Sequence, residues 1–192
     1  LEQKLYENIK EIFDDEFAVY FKNNWKRFLD DIFILWTRSR YDLMRLESIV
    51  NNLNPDLKFI LTSHNTELPF LDILIQLNNG KIETDIFYKP TDSKQYLIFN
   101  SCHPKHTKEN IPFGLARRLC TIISNRETLS KRLEELAKFL ISQNYPRQII
   151  NNGIRKAKEL DRTLLRQVKE KTFDNSITFV NTHNPRNKEF FG

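Results

Sequence analysis

Two short apolar runs meet at a pair of adjacent aspartates, and this junction constrains the fold more than any other segment. The run from Trp25 to Trp36 places strand-forming side chains on both sides of Asp30 and Asp31, which predicts a β-hairpin with both carboxylates at its tip. Adjacent like charges repel, so folding alone gives little reason for this pair. A bound Mg²⁺ ion would offset this repulsion, because Mg²⁺ prefers carboxylate oxygens and takes substrate phosphates as further ligands. A solvated Asp-Asp turn is the alternative interpretation.

Length and composition are those of one domain or two small ones. The chain has 192 residues, of which 40% are hydrophobic and 29% are charged, and this composition supports an apolar core. No apolar run approaches the roughly 18 residues of a transmembrane helix, so we expect no membrane association. Two cysteines without a secretory leader indicate an intracellular protein with free thiols. The sequence opens at Leu1 in what reads as mid-helix, so we expect a piece of a longer protein.

Charge is distributed unevenly along the chain. Residues 101–192 contain 18 Lys and Arg against 9 Asp and Glu, whereas residues 1–100 contain 12 against 16. A basic half beside an acidic half indicates that the basic half binds nucleic acid. A basic surface that serves only solubility is the alternative.

The first hundred residues predict a mixed α+β order of helix, hairpin, helix, strand and hairpin. The elements are helices over 1–22 and 39–53, the aspartate hairpin, a strand over 57–61, and strands over 70–77 and 81–88. Ser39 is placed to cap the second helix. Asn79-Gly80 supplies the two left-handed residues of a tight hairpin turn. We expect Asp72 and Asp85, in the last two strands, to face solvent.

The second half predicts three helices, over 114–124, 124–143 and 146–171. The sequence Ser124-Asn125-Arg126-Glu127 has the form of a capping box and predicts where the second of them begins. Cys102, His103, His106 and Cys120 offer a zinc-ligand alternative, but their spacing fits no common zinc finger. We expect a loop that joins the two halves there.

The third of these helices predicts an apolar face and an opposite basic face. The apolar positions are Ile150, Ile154, Ala157, Leu160, Leu164 and Val168. The cations, which we call the basic stripe, are Arg155, Lys158, Arg162, Arg166 and Lys169. Like charges four residues apart destabilise a helix, whereas contact with a phosphate backbone would account for them. A solvated face is the alternative.

An ordered set of segments resembles one protein family. The segments are Arg27-Phe28-Leu29-Asp30-Asp31-Ile32-Phe33, Leu68-Pro69-Phe70-Leu71-Asp72, Phe87-Tyr88-Lys89-Pro90-Thr91-Asp92, Tyr96-Leu97, His103-Pro104-Lys105-His106-Thr107-Lys108, Ile111-Pro112-Phe113-Gly114-Leu115-Ala116-Arg117-Arg118 and Phe179-Val180-Asn181-Thr182. The aspartate segment resembles the metal-binding hairpin of palm-type polymerases. Together the segments span roughly residues 25–185 and resemble the reverse transcriptase of Penelope-like retroelements. Each is weak alone, and their shared order is specific.

The resemblance implies a right-hand polymerase, with the carboxyl-terminal half of the palm over 1–100 and an all-helical thumb with a basic tail over 101–192. Asp30 matches the first hairpin aspartate, a ligand of the catalytic Mg²⁺ or Mn²⁺ ions, and Asp31 matches the second. Two such ions, roughly 4 Å apart, activate the primer 3′-hydroxyl and stabilise the leaving pyrophosphate. Lys58 lies near the position of a lysine that can protonate pyrophosphate, or it is a solvated strand-edge lysine.

The same resemblance implies an RNA template, a DNA primer and deoxynucleotides as partners, the basic stripe as a nucleic-acid contact, and a nuclear location for a eukaryotic element. A palm polymerase also needs an earlier aspartate and a fingers region, and neither is in this sequence. We therefore expect the segment to be inactive alone. The alternative is a non-catalytic nucleic-acid-binding module that kept the shape of palm and thumb.

Overall fold

Residues 2–167 are described by a computed structural model, and their fold is of the predicted mixed α+β class. The elements in chain order are α1 (Glu2–Ile12), α2 (Asp15–Asn24), β1 (Lys26–Phe28), β2 (Asp31–Phe33), α3 (Arg40–Asn52), β3 (Glu67–Phe70), β4 (Ile73–Asn78), β5 (Lys81–Ile86), α4 (Lys105–Ile122), α5 (Arg126–Ser142), α6 (Arg147–Lys158) and α7 (Arg162–Leu165). Within this range, no helix combines the length and the apolar composition that crossing a bilayer requires.

The first three helices build one hydrophobic core. Its buried members are Leu5, Ile9, Phe17, Ala18, Phe21, Leu43, Leu46 and Val50. The single helix predicted over 1–22 is two helices, because the Asp14 carboxylate caps α2 by accepting from the Phe17 amide at 2.6 Å. Ser39 caps α3 as predicted, since its hydroxyl accepts from the Asp42 amide at 3.1 Å.

The segment over 57–61 is not a strand, and that prediction is wrong. From Phe59 onward its backbone hydrogen bonds go to side chains of α3 instead of to another strand. The Phe59 amide donates to Asn51 Oδ1 at 2.7 Å, and Asn51 Nδ2 donates to the Phe59 carbonyl at 3.0 Å. The Leu61 amide donates to Glu47 Oε1 at 3.3 Å. Helix α3 therefore holds an extended segment in place without a sheet.

Two separate antiparallel sheets contain the five strands described. β1 and β2 form the smaller one, and β3, β4 and β5 pair in sequence order in the other. Asn79 and Gly80 form the predicted turn between β4 and β5, with φ of 49° and 76°. The strand predicted over 70–77 begins at Ile73, because residues up to Phe70 form a separate edge strand, β3, which the sequence did not indicate.

The helical half packs around α4 and α6. Buried residues of α4, α5 and α6 share a core with Ile86 of β5, so the packing continues across residue 100. Gly153 of α6 lies against α4 so closely that a Cβ there would be 2.7 Å from the Phe113 amide nitrogen. α4 begins at Lys105, nine residues before the predicted start at Gly114. Helices α4 and α6 therefore approach each other closely at Gly153.

Two predicted helix ends in this half are wrong. Asn125 caps α5 in place of Ser124, because its Oδ1 accepts from the amides of Glu127 and Thr128. The Ser124 hydroxyl accepts instead from the Thr84 amide of β5 at 2.8 Å. The helix predicted over 146–171 ends at Lys158.

Helix α6 ends early because Asp161 caps a new helix, α7, by accepting from the Thr163 amide at 2.8 Å. Leu160 and Leu164, predicted to be buried, are 38% and 60% exposed. Val168 and Lys169 lie outside the described residues. The basic stripe is therefore not one continuous helix face.

Candidate metal and nucleic-acid sites

The aspartate hairpin forms as predicted. Phe28 of β1 pairs with Asp31 of β2, which leaves Leu29 and Asp30 as the two residues of the turn. Asp30 is thus in the turn itself, and Asp31 opens the second strand. Leu29 has a φ of 55°, a left-handed conformation that is uncommon outside glycine and that Leu71 also adopts in the turn between β3 and β4.

Arg27 holds this turn against the first helix. Its guanidinium donates to the Leu29 carbonyl at 3.1 Å and to the Glu2 carboxylate at 2.6 Å. These bonds fix the backbone around the aspartates without using their carboxylates. The tip is consequently anchored, while its acidic side chains stay available.

Both carboxylates of the tip face solvent. Asp30 and Asp31 are exposed, and neither forms an ion pair with any residue in the range 2–167. Two unpaired carboxylates are hard oxygen donors of the kind that Mg²⁺ and Mn²⁺ accept. The described residues contain no group of three or more acidic, histidine or cysteine side chains that could hold a metal. Further ligands would therefore have to come from substrate phosphates or from other parts of the protein.

A cleft of about 900 Å³ lies beside the hairpin and joins it to the extended segment after α3. Asp30, Arg27 and Lys58 all line it, together with Glu2 at the start of α1. Lys58 is exposed and precedes Phe59, whose backbone is held by α3. Trp25 also lines the cleft, and its buried indole nitrogen has no hydrogen-bond partner among the described residues. Carboxylate and ammonium groups are thus brought to one cavity by segments that are 28 residues apart.

Asp85 does not face solvent, contrary to the prediction. It is 6% exposed, and its carboxylate accepts from Arg132 of α5, with Nη2 at 2.7 Å and Nε at 3.2 Å. Arg132 also pairs with Glu135 at 2.9 Å. The hydrogen bond with Asp85 raises the pKa of Arg132 above its usual range, so the guanidinium stays charged. Asp72 is exposed as predicted, although it lies in the turn between β3 and β4 and not in a strand, and its carboxylate pairs with Arg118 at 2.6 Å.

The residues of the basic stripe have different surroundings. Arg155 is exposed and pairs with Glu159 at 2.8 Å, and Lys158 is exposed at the end of α6. Arg162 donates instead to the carbonyls of Thr121 and Ile122, the last turn of α4, at 3.3 and 3.2 Å. Burial lowers the pKa of Arg162.

Arg162 is therefore a structural cap of α4, and it does not share a face with Arg155. Arg166 is exposed after α7. Of the five cations in the stripe, two remain together on α6.

The zinc alternative does not fit the fold. Cys120 is buried in α4, where burial raises the pKa of its thiol, whereas Cys102 is exposed.

Tyr145, which the sequence did not single out, connects two segments of the helical half. It is 3% exposed, and its hydroxyl donates to the Leu97 carbonyl at 2.8 Å, so the segment before α4 is attached to the turn before α6.

Residues 95–155 match the family described as the animal helix-turn-helix domain, which is about a third of the chain. The match covers α4, α5 and most of α6, and it includes the turn between α5 and α6. No curated protein and no solved structure matches the chain.

Proposed function

We propose that this chain is part of an RNA-directed DNA polymerase of the kind found in Penelope-like retroelements, and that Asp30 and Asp31 hold its catalytic metal ions. The observation that carries the proposal is the pair of exposed carboxylates at the tip of an anchored hairpin, without an ion pair in the described part of the chain. Two adjacent unpaired carboxylates repel each other, and a bound divalent cation would offset that repulsion by taking their oxygens as ligands.

The proposed reaction joins a primer 3′-hydroxyl to the α-phosphorus of a deoxynucleotide on an RNA template, with release of pyrophosphate. Mg²⁺ or Mn²⁺ bound at the hairpin would activate the hydroxyl and stabilise the leaving group. Asp30 and Asp31 supply oxygen ligands, and Arg27 keeps their turn in position through its bonds to Leu29 and Glu2. Lys58, which lines the same cleft as Asp30, is our candidate for donating a proton to pyrophosphate.

A second candidate function is a nucleic-acid-binding module without catalysis. The match of residues 95–155 to a helix-turn-helix family favours it, as does the basic character of the second half of the sequence. Both proposals include nucleic-acid binding. They differ in whether the aspartate hairpin takes a metal ion.

Paramagnetic Mn²⁺ distinguishes the two functions. We expect Mn²⁺ to broaden the amide resonances of residues 28–32 first when it is titrated into the chain with a primer–template duplex and a deoxynucleotide. The double variant Asp30→Asn, Asp31→Asn should lose this local effect. A matched control is Glu11→Gln with Glu16→Gln, which removes two exposed carboxylates of the first two helices. Broadening that is unchanged in the hairpin variant would contradict the metal site and favour the module.

Primer extension tests the polymerase itself. In a protein that also contains a fingers region and the earlier palm aspartate, Asp30→Asn should abolish extension on an RNA template. The substitution removes a charge and almost no volume, so folding and duplex affinity should persist. Extension at an undiminished rate would exclude Asp30 as a metal ligand.

A further inference from the structure

We propose that the groove between α4 and α6 binds one unstacked nucleotide, with adenine as its preferred base. Polymerisation on a primer–template duplex needs no pocket for an unpaired base, and neither does docking of a helix-turn-helix unit on duplex DNA. The inference therefore goes beyond both candidate functions, and it does not depend on the aspartate hairpin.

The groove is a preformed cavity of the size that small ligands occupy. Its volume is about 510 Å³, and ligand pockets typically measure roughly 300–1,000 Å³. Gly153 brings α6 so close to α4 that a Cβ at this position would be 3.0 Å from Pro112 and 2.7 Å from the Phe113 amide nitrogen. This close packing fixes the separation of the two helices, so the groove does not need a ligand in order to form.

The lining of the groove combines an aromatic ring with side chains that form hydrogen bonds. The apolar members are Phe113, Ile149 and Gly153, and the polar members are Glu109, Asn110, Asn152 and Lys156. Phe113 packs on the core of the helical half but is only half-buried, so part of its ring is available to a ligand. Aromatic rings stack on bases of unpaired strands, because every base has a π face. A flat heteroaromatic ligand therefore fits this lining.

The two amides and the carboxylate select the base. Asn110 and Asn152 are exposed, and an asparagine amide can donate to N7 of adenine and accept from its N6 amino group. Glu109 can also accept from an amino group, because its ion pair with the exposed Lys105 is long, at 3.7 Å, and weak in water. Thymine and uracil have a carbonyl oxygen where adenine has the amino group, so they would place an acceptor against this carboxylate.

Lys156 supplies a positive charge for the phosphate of the nucleotide. It is exposed, and it forms no ion pair with any residue in the range 2–167. A lysine ammonium group binds phosphate as a point charge. Residues 101–192 contain 18 Lys and Arg against 9 Asp and Glu, so their surroundings attract an anionic ligand. This charge favours a nucleotide over a neutral peptide as the occupant.

Unpaired oligonucleotides and the full chain test the groove. The probe is an oligothymidine strand with one central adenosine, and its reference is the same strand with thymidine at that position. We expect fluorescence anisotropy to show tighter binding of the adenosine strand, by roughly 5- to 150-fold if the adenine forms a bidentate contact. The preference should disappear when each strand is annealed to its complement, because pairing and stacking remove the base from reach.

Substitutions in α4 and α6 locate the binding. Phe113→Leu keeps an apolar side chain in the core but removes the ring, and it should weaken binding of the adenosine strand by roughly 5- to 150-fold. Asn110→Ala with Asn152→Ala should abolish the preference for adenosine. The matched control is Asn151→Ala, which truncates a neighbouring exposed amide of α6 that does not line the groove. It should keep both the affinity and the preference, and circular dichroism should show all variants folded.

The amide resonances of Asn152 and Gly153 distinguish a free nucleotide from one in a strand. Adenosine monophosphate that shifts them at the concentrations at which the strand does would identify a free nucleotide as the ligand, whereas a requirement for the strand would identify single-stranded nucleic acid. Asp30→Asn with Asp31→Asn should keep the preference, so failure of the metal site is separable from failure of this inference. Equal affinity for the two strands, a preference that persists in the duplex or without both asparagines, or an equal loss in Asn151→Ala would overturn it.

Discussion

The hairpin of β1 and β2 and the hairpin of β4 and β5 hold their aspartates in opposite environments. Asp85, in the hairpin of β4 and β5, is 6% exposed, and its carboxylate accepts hydrogen bonds from Nη2 and Nε of Arg132 in α5. Asp30 and Asp31, at the tip of the other hairpin, are exposed and lack an ion pair among residues 2–167. The first carboxylate connects a hairpin to a helix and contributes to the fold. The carboxylates of Asp30 and Asp31 form no ion pair that would stabilise the fold in the described part of the chain. We therefore infer that their role is to bind a ligand.

A second pair of adjacent aspartates shows that adjacency alone is not evidence for a metal. Asp14 caps α2 and forms an ion pair with Arg38, and Asp15 pairs with Lys10 at 3.5 Å. The fold therefore uses each charge of that pair. Substitutions can test this difference between carboxylates that form ion pairs within the fold and carboxylates that form none among the described residues.

The largest loss of stability should come from Arg132→Met. The change leaves Asp85 buried without its cation, and removal of one partner from a buried pair costs about 3–5 kcal/mol of the free energy of unfolding. Urea unfolding followed by circular dichroism measures it. The control is the double variant Asp85→Leu, Arg132→Met, which should recover most of the loss, because an apolar replacement of both partners is often neutral. If Arg132→Met lowers the free energy of unfolding by less than about 1 kcal/mol, Asp85 contributes little to the fold through this pair, and its contrast with Asp30 and Asp31 fails.

A smaller effect, which depends on pH, should come from Asp14→Asn. The Phe17 amide and then Arg38 lower the pKa of Asp14 below its ordinary value of 3.8. A carboxyl group whose pKa is lowered on folding stabilises the protein above its unfolded pKa, and this contribution disappears as the pH falls through the folded pKa. The wild type should therefore exceed the variant in stability at neutral pH, and the difference should shrink on acidification below the unfolded value. A difference that does not change with pH would show that the charge of Asp14 is not what matters.

Leu29→Gly should raise the stability of the protein, by less than Arg132→Met lowers it. The turn between β4 and β5 has Asn79 at its first position, with a φ of 49°, whereas the turn between β1 and β2 has Leu29 there, with a φ of 55° and 75% of its surface exposed. Glycine adopts this conformation without steric penalty, so the variant should gain roughly 0.5–1 kcal/mol, reduced by the greater entropy of the unfolded chain. The thermal midpoint measures it. A loss of stability would indicate that the leucine side chain packs in the folded state.

Local turn and cap chemistry explains which features the sequence could predict. Asn79-Gly80 permits few alternatives to a tight turn, and Ser39 caps a helix through a contact with Asp42, three residues away. The aspartate hairpin and its exposed carboxylates follow from the same local pattern. Each of these features depends on neighbours in sequence.

The features that the sequence could not predict depend on distant partners or on competing caps. Arg132 is 47 residues from Asp85, and no local pattern connects them. The segment over 57–61 has a strand-like composition, but its hydrogen-bond partners are Asn51 and Glu47 of α3. The apolar spacing continues past Lys158, and only the cap of Asp161 ends the helix.

The smallest effect on folding should come from Asp30→Asn with Asp31→Asn, and this result would complete the comparison. Because no described residue pairs with these carboxylates, their replacement should change the free energy of unfolding by no more than about 0.5 kcal/mol. A slight gain is expected, since the repulsion between adjacent charges disappears. Urea unfolding without divalent cations measures it, with Arg132→Met as the reference for a damaging change. A loss above about 1 kcal/mol would mean that the fold itself engages these carboxylates, and the argument that they are kept for a metal ion would fail.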